Sequence, residues 1–159
     1  MRQYKLKDVR SVAIQVATLP DSKRRTFLKS KSETGTFCRG TARLAVSMGR
    51  YVLKVAFNEK GRQQNKVEYD VYRHTMSLTK RYLARIYDYD QHHEWLIVEK
   101  LDKARKRQNY LRLPDRVVRE LTEMLYYIDE SLIQYGRSRS GRKKIYDYGF
   151  NRIVAENYY

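Results

Sequence analysis

Residues 41–57, TARLAVSMGRYVLKVAF, constrain the fold more than any other stretch. Two apolar runs flank SMGR, and a short glycine-bearing break between such runs reads as a β-hairpin. Gly49 is free to take the positive φ that a tight turn asks for. A hairpin calls for further antiparallel partners, and YLARIYDYD and EWLIVEKL supply two more strands joined by QHH. Between the two pairs lies GRQQNKVEYDVYRHTMSL. Val67 and Val71 are four apart there with few breakers, which predicts a helix over about 61–77. After a basic connector, DKARKRQNYLRLP, comes the most regular helical pattern in the chain. Val117, Val118, Leu121, Leu125, Ile128 and Leu132 fall on one stripe over 115–135. Asp115 can cap its start and Gly136 can end it. IYDYGF reads as a last short strand. This order predicts an α+β fold, an antiparallel sheet carrying a helix.

The first 34 residues are less regular. VRSVAIQVATL is strand or short helix, and SKRRTFLKSKSETG is expected as a basic loop. The whole length of 159 residues suits one compact unit burying roughly two-thirds of its unfolded surface. A single cysteine, Cys38, allows neither an intrachain disulfide nor a cysteine zinc site, and points to a reducing compartment. The apolar runs, WLIV among them, are too short to span a bilayer, and the polar start is no signal peptide. A soluble cytoplasmic protein with no membrane partner is expected. The fifteen tyrosines fit the edge of a core, where ring and hydroxyl are both served.

Chemistry-bearing residues are scattered but ordered. GTFCRG places Gly35 and Gly40 before a strand, where backbone can lie close over phosphates. A Walker loop is excluded, because Thr41 and Ala42 stand where Lys and Ser/Thr belong. Lys54 sits in a strand beside Leu53 and Val55, and either alternates to solvent or is paired. Glu68, fourteen residues on in the predicted helix, is a candidate partner with Asp70 as a rival, and an ordinary solvated helix surface is the alternative for both. His92 and His93 occupy a turn, and His74 lacks an acidic partner four residues on, so the histidines indicate no catalytic set.

Taken in order, residues 35–101 resemble the small lobe of the protein-kinase-like superfamily. GTFCRG resembles the glycine-rich loop, YVLKV the lysine strand, and NKVEYDVYR the helix with the pairing glutamate. EWLIVEKL looks like the strand entering the hinge, which implies adenine contacts near Glu99 and Leu101. The resemblance makes 102–159 a truncated large lobe with one long helix, and YDYGF a magnesium triplet with Asp147 as ligand. Mg-ATP is the cofactor it implies. The pattern also resembles small kinase-like proteins encoded by bacteriophages, which implies a bacterial host cell and interference with a host system. One departure bears on activity. The interval before the triplet, RSRSGRKKIY, has no Asp, Asn, Glu or His, so the catalytic-loop aspartate and asparagine have no counterpart there.

Lys and Arg number 34 against 18 Asp and Glu, a formal net charge of +16. Such an excess meets something anionic: nucleic acid, a ribonucleoprotein or an acidic protein. The charge lies in three runs. The first is Lys23, Arg24, Arg25, Lys29 and Lys31. The second is Lys103, Arg105, Lys106 and Arg107. The third is Arg137, Arg139, Arg142, Lys143 and Lys144. The second and third flank the long helix and are the expected binding face. The reading is a kinase-like binding protein without catalysis. The alternatives are an active ATP-dependent phosphotransferase, and a sequence-independent nucleic-acid-binding domain whose likeness to kinases is coincidental.

Overall fold

The computed structural model describes residues 4–32, 37–39, 42–103, 113–125, 134–149, 154, 156 and 157. The fold is α+β. Its described elements run α1 (Leu6–Ala17), α2 (Asp21–Lys31), β1 (Phe37–Arg39), β2 (Arg43–Met48), β3 (Tyr51–Ala56), α3 (Glu59–His74), α4 (Ser77–Lys80), β4 (Ile86–Tyr89), β5 (Trp95–Glu99), β6 (Asp102–Lys103), α5 (Asp115–Leu125), β7 (Gln134–Arg137) and β8 (Lys143–Asp147). The chain divides into two compact units. One unit holds residues 1–66 and 86–100, the other 67–85 and 101–159, so the division falls within α3.

The first unit is built on a five-stranded antiparallel sheet in the order β1-β2-β3-β5-β4. The expected hairpin is β2–β3, closed by Gly49 at φ +60°. Strand alternation sends Leu44, Val46 and Met48 of β2 and Tyr51, Leu53 and Val55 of β3 into one core with Trp95 and Ile97 of β5. The same core takes Val9, Ala13 and Val16, one stripe of α1, and Leu28 of α2. Residues 21–31, expected as a basic loop, are therefore a helix. Burying Leu28 fully is worth about 2 kcal/mol, and side chains such as Leu28 and Arg24 that share its inner face hold α2 in place. A basic segment with so few apolar residues gives little helical periodicity, which is why the sequence alone did not show it.

The start of α3 is set by Asn58, whose side-chain oxygen accepts from the Gly61 N–H at 3.0 Å. A Cβ on Gly61 would lie 2.2 Å from the Ala42 carbonyl oxygen, so only glycine allows this approach. Asn65, fully buried, donates to the His93 carbonyl at 2.8 Å and accepts from Arg43 at 3.2 Å.

The second unit packs a three-stranded sheet, β6-β7-β8, with α4 and α5. Its core joins Val71, Leu83, Leu113, Val117, Leu121, Ile145 and Tyr148. Glu120 of α5 binds the start of α4, accepting from the Met76 N–H at 2.6 Å and from the Thr79 hydroxyl. The helix expected over 115–135 is described as far as Leu125, and residues 126–133 lie outside the described residues. Gln134–Arg137 is strand, so Gly136 does not end a helix. It permits a close approach instead: a Cβ there would sit 2.5 Å from the Leu101 Cβ and 2.9 Å from the Asp102 carbonyl oxygen. Helical periodicity carried past Leu125 because Ile128 and Leu132 continue the apolar stripe. Pairing with β6 and β8 decides the strand.

Candidate functional site

In the first unit, Lys54 stands on β3 directly opposite Ala45 of β2 and Leu96 of β5. Its neighbours Leu53 and Val55 face the core beneath α1, so alternation turns Lys54 to the other face of the sheet. That face does not expose it: Lys54 is only 7 % exposed. A buried ammonium is tolerated only with compensating interactions, and Lys54 has one. Alternation to solvent is excluded. Glu99 ends β5 opposite Tyr51, half-buried. The following Lys100 N–H donates to the Arg50 carbonyl at 3.0 Å, so that donor is engaged within the protein. Gly35 and Gly40 lie outside the described residues.

In the second unit, Glu68 of α3 is fully buried and is also engaged, whereas its rival Asp70 is half-buried. Leu101 is 9 % exposed and lies against Gly136. Its packing there is a structural role for a residue read as an adenine contact. Asp147 is the last residue of β8, exposed between half-buried Tyr146 and buried Tyr148, whose hydroxyl donates to the Ala84 carbonyl at 3.0 Å. Among the described residues no three His, Cys, Asp or Glu side chains gather as a metal-binding group. One exposed carboxylate suits a magnesium ion that arrives on nucleotide phosphates, which keeps most of its other ligands from phosphate and water.

The third basic run forms a feature of its own. β7 and β8 are a hairpin whose tip is closed by the Ser138 N–H to the Arg142 carbonyl and the Gly141 N–H to the Ser138 carbonyl, both at 2.8 Å. Gly141 has φ +78° at this turn. The interval that lacks catalytic-loop residues is thus a tight turn at 138–141 running into strand from Lys143. Arg137, Arg139 and Arg142 are exposed, and Lys143 and Lys144 are half-buried. Arg137 stands directly opposite Lys143 of β8 on one side and Asp102 of β6 on the other, so the like-charge pair has an acid as its second cross-strand neighbour. No carboxylate occurs from Gln134 to Tyr146. Lys103 belongs to β6 and pairs through its backbone with Gly136, alongside this hairpin. Arg105, Lys106 and Arg107 lie outside the described residues.

Sequence reasoning missed a charged network in the first unit. The Arg24 guanidinium is 4 % exposed and donates to the carbonyls of Leu19, Ala56 and Ala17 and to Glu94. Arg62 donates to the other Glu94 oxygen at 2.8 Å, and Asp21 lies near both arginines. Burial alone would raise the Glu94 carboxyl, but hydrogen bonds from Arg62 and Arg24, and then their charges, outweigh it and hold it below its ordinary value. The signal was faint: Arg24 and Leu28 are four apart, on the one face of α2 that turns inward.

No helix among the described residues is long and apolar enough to cross a membrane. No protein-family model, curated protein or solved structure matches the chain.

Proposed function

We propose that the protein is a kinase-like binding protein that engages an anionic partner through the β7–β8 hairpin and does not catalyse phosphoryl transfer. The observation that carries this reading is the hairpin itself. It presents Arg137, Arg139 and Arg142 exposed around a turn that carries no carboxylate, with Asp102 of β6 opposite Arg137, in the interval of the sequence where a kinase would carry its catalytic aspartate. Arginine and lysine do not serve as a base there at neutral pH. The partner is a nucleic acid, a ribonucleoprotein or an acidic host protein. Phage origin and host interference follow from the resemblance and belong to this proposal. The test is Arg137→Gln, Arg139→Gln, Arg142→Gln in the whole chain. Binding to polyanions, read by fluorescence anisotropy, should weaken at least tenfold and lose part of its salt dependence. Unchanged binding removes the hairpin from the function.

A second reading, a nucleotide-binding site, is favoured by one observation. Lys54, a charge the resemblance assigns to ATP positioning, is buried on the sheet of the first unit at 7 % exposure. Mg-ATP at a hundredfold excess over its dissociation constant would add about 2.7 kcal/mol to stability. The melting temperature should rise with Mg-ATP in the wild type, and the rise should vanish in Asp147→Asn. No rise at millimolar Mg-ATP rejects this second reading.

A further inference from the structure

Helix α2 carries a second surface of different construction. Its inward side holds Arg24, engaged as described, and Leu28. At 3.6 residues per turn, Ser22, Lys23, Arg25, Thr26, Lys29 and Ser30 share the opposite arc, and all six are exposed. Each carries a hydrogen-bond donor, that of Ser30 engaged by the Phe27 carbonyl at 2.7 Å, and none is acidic. The one carboxylate of α2, Asp21, pairs with Arg24 and Arg62. Among the described residues, Lys23, Arg25 and Lys29 have no side-chain partner. The basic run of the sequence is therefore sorted by the fold. Arg24 faces in, Lys31 lies over the Phe27 ring at 5.4 Å, and three cations alternate with three hydroxyls facing water.

We infer that this outer face of α2 is a docking surface for the sugar-phosphate backbone of nucleic acid. Lysine, arginine, serine and threonine are the side chains that contact phosphate oxygens, and the arc has no other type. An acidic protein partner fits less well. Stable protein interfaces centre on buried apolar or aromatic anchors and are depleted in lysine and serine, and this arc offers no apolar side chain. Contacts of this kind are independent of base sequence and weaken steeply with salt. The inference stands on α2 alone, and it narrows the anionic partners proposed above to one class for this surface.

The test uses the whole chain and a fluorescein-labelled DNA duplex of about twenty base pairs, long enough for several phosphate contacts, in a monovalent salt series. Lys23→Gln, Arg25→Gln, Lys29→Gln is compared with Arg81→Gln, Arg116→Gln, Arg119→Gln, which removes the same charge from exposed positions elsewhere. The α2 variant is expected to bind about tenfold or more weakly, and its slope of log affinity against log salt should flatten by about 2 to 3. The control should change far less, and Lys23→Arg, Lys29→Arg should bind as the wild type does. An α2 variant that binds like the wild type overturns the inference while leaving the hairpin reading untouched. An equal loss in both charge-removed variants overturns it in favour of net charge. Wild-type binding to polyglutamate but not to the duplex overturns it in favour of an acidic protein.

Discussion

The basic runs at 23–31 and 137–144 read alike in the sequence, yet the fold treats them differently. In the first, Arg24 is buried and engages three carbonyls and a carboxylate, becoming part of what holds α2. In the second, Arg137, Arg139 and Arg142 all remain exposed on a hairpin, and among the described residues their guanidinium groups make one hydrogen bond, from Arg137 to the Gly141 carbonyl at 3.2 Å. A cation count therefore overstates the exposed charge of both runs: four of five cations are exposed in the first, and three of five in the second, where Lys143 and Lys144 are half-buried. The difference comes from the element beneath. A helix lying on a sheet has an inner face, and any residue at the wrong phase must be accommodated there. A hairpin tip projects away from its core and buries little.

The comparison breaks most visibly at Arg24. Arg24→Ala should cost about 3 kcal/mol of stability, because it strands buried carbonyls and takes one of two cations from Glu94. Urea unfolding measures it, and a loss below about 1 kcal/mol would return Arg24 to the surface cations. A smaller effect is expected from acid. The Glu94 carboxyl is held below its ordinary 4.5, so its contribution is full above that pH and is lost as pH falls through the lowered value. The urea midpoint of the wild type should fall over that acid range, and Glu94→Gln should lack this part of the fall. An identical pH profile for both would show that the network is not what loosens in acid. The smallest effect belongs to the hairpin. Arg139→Gln with Arg142→Gln should shift stability by no more than about 0.5 kcal/mol, since both side chains are exposed and neither touches the core. A loss above about 1.5 kcal/mol would mean that these arginines hold the fold, as Arg24 does.

Much of the fold was legible because its signals are local. The β2–β3 hairpin is written in alternation and Gly49, the β4–β5 pair in two apolar runs around QHH, and α3 in a valine spacing free of breakers. Lys54 stood out as a charge among apolar neighbours, and Glu68 as the acid one helix later. The sequence could not choose between Glu68 and Asp70, which point to different faces of one helix, because it does not say which face is packed. It likewise took Gly136 as a helix end, when its meaning is the room it leaves for Leu101, whose Cβ would lie 2.5 Å from any Cβ placed there.

Alternation, periodicity and composition by themselves determined that this chain is α+β, with an antiparallel sheet and a formal net charge of +16. The fold alone determined which charges remain to act on a partner. Burial depends on which elements pack together, and that is set by contacts between residues far apart in the chain. Arg24 meets Glu94 seventy positions away, while Lys23 and Arg25 beside it stay in water.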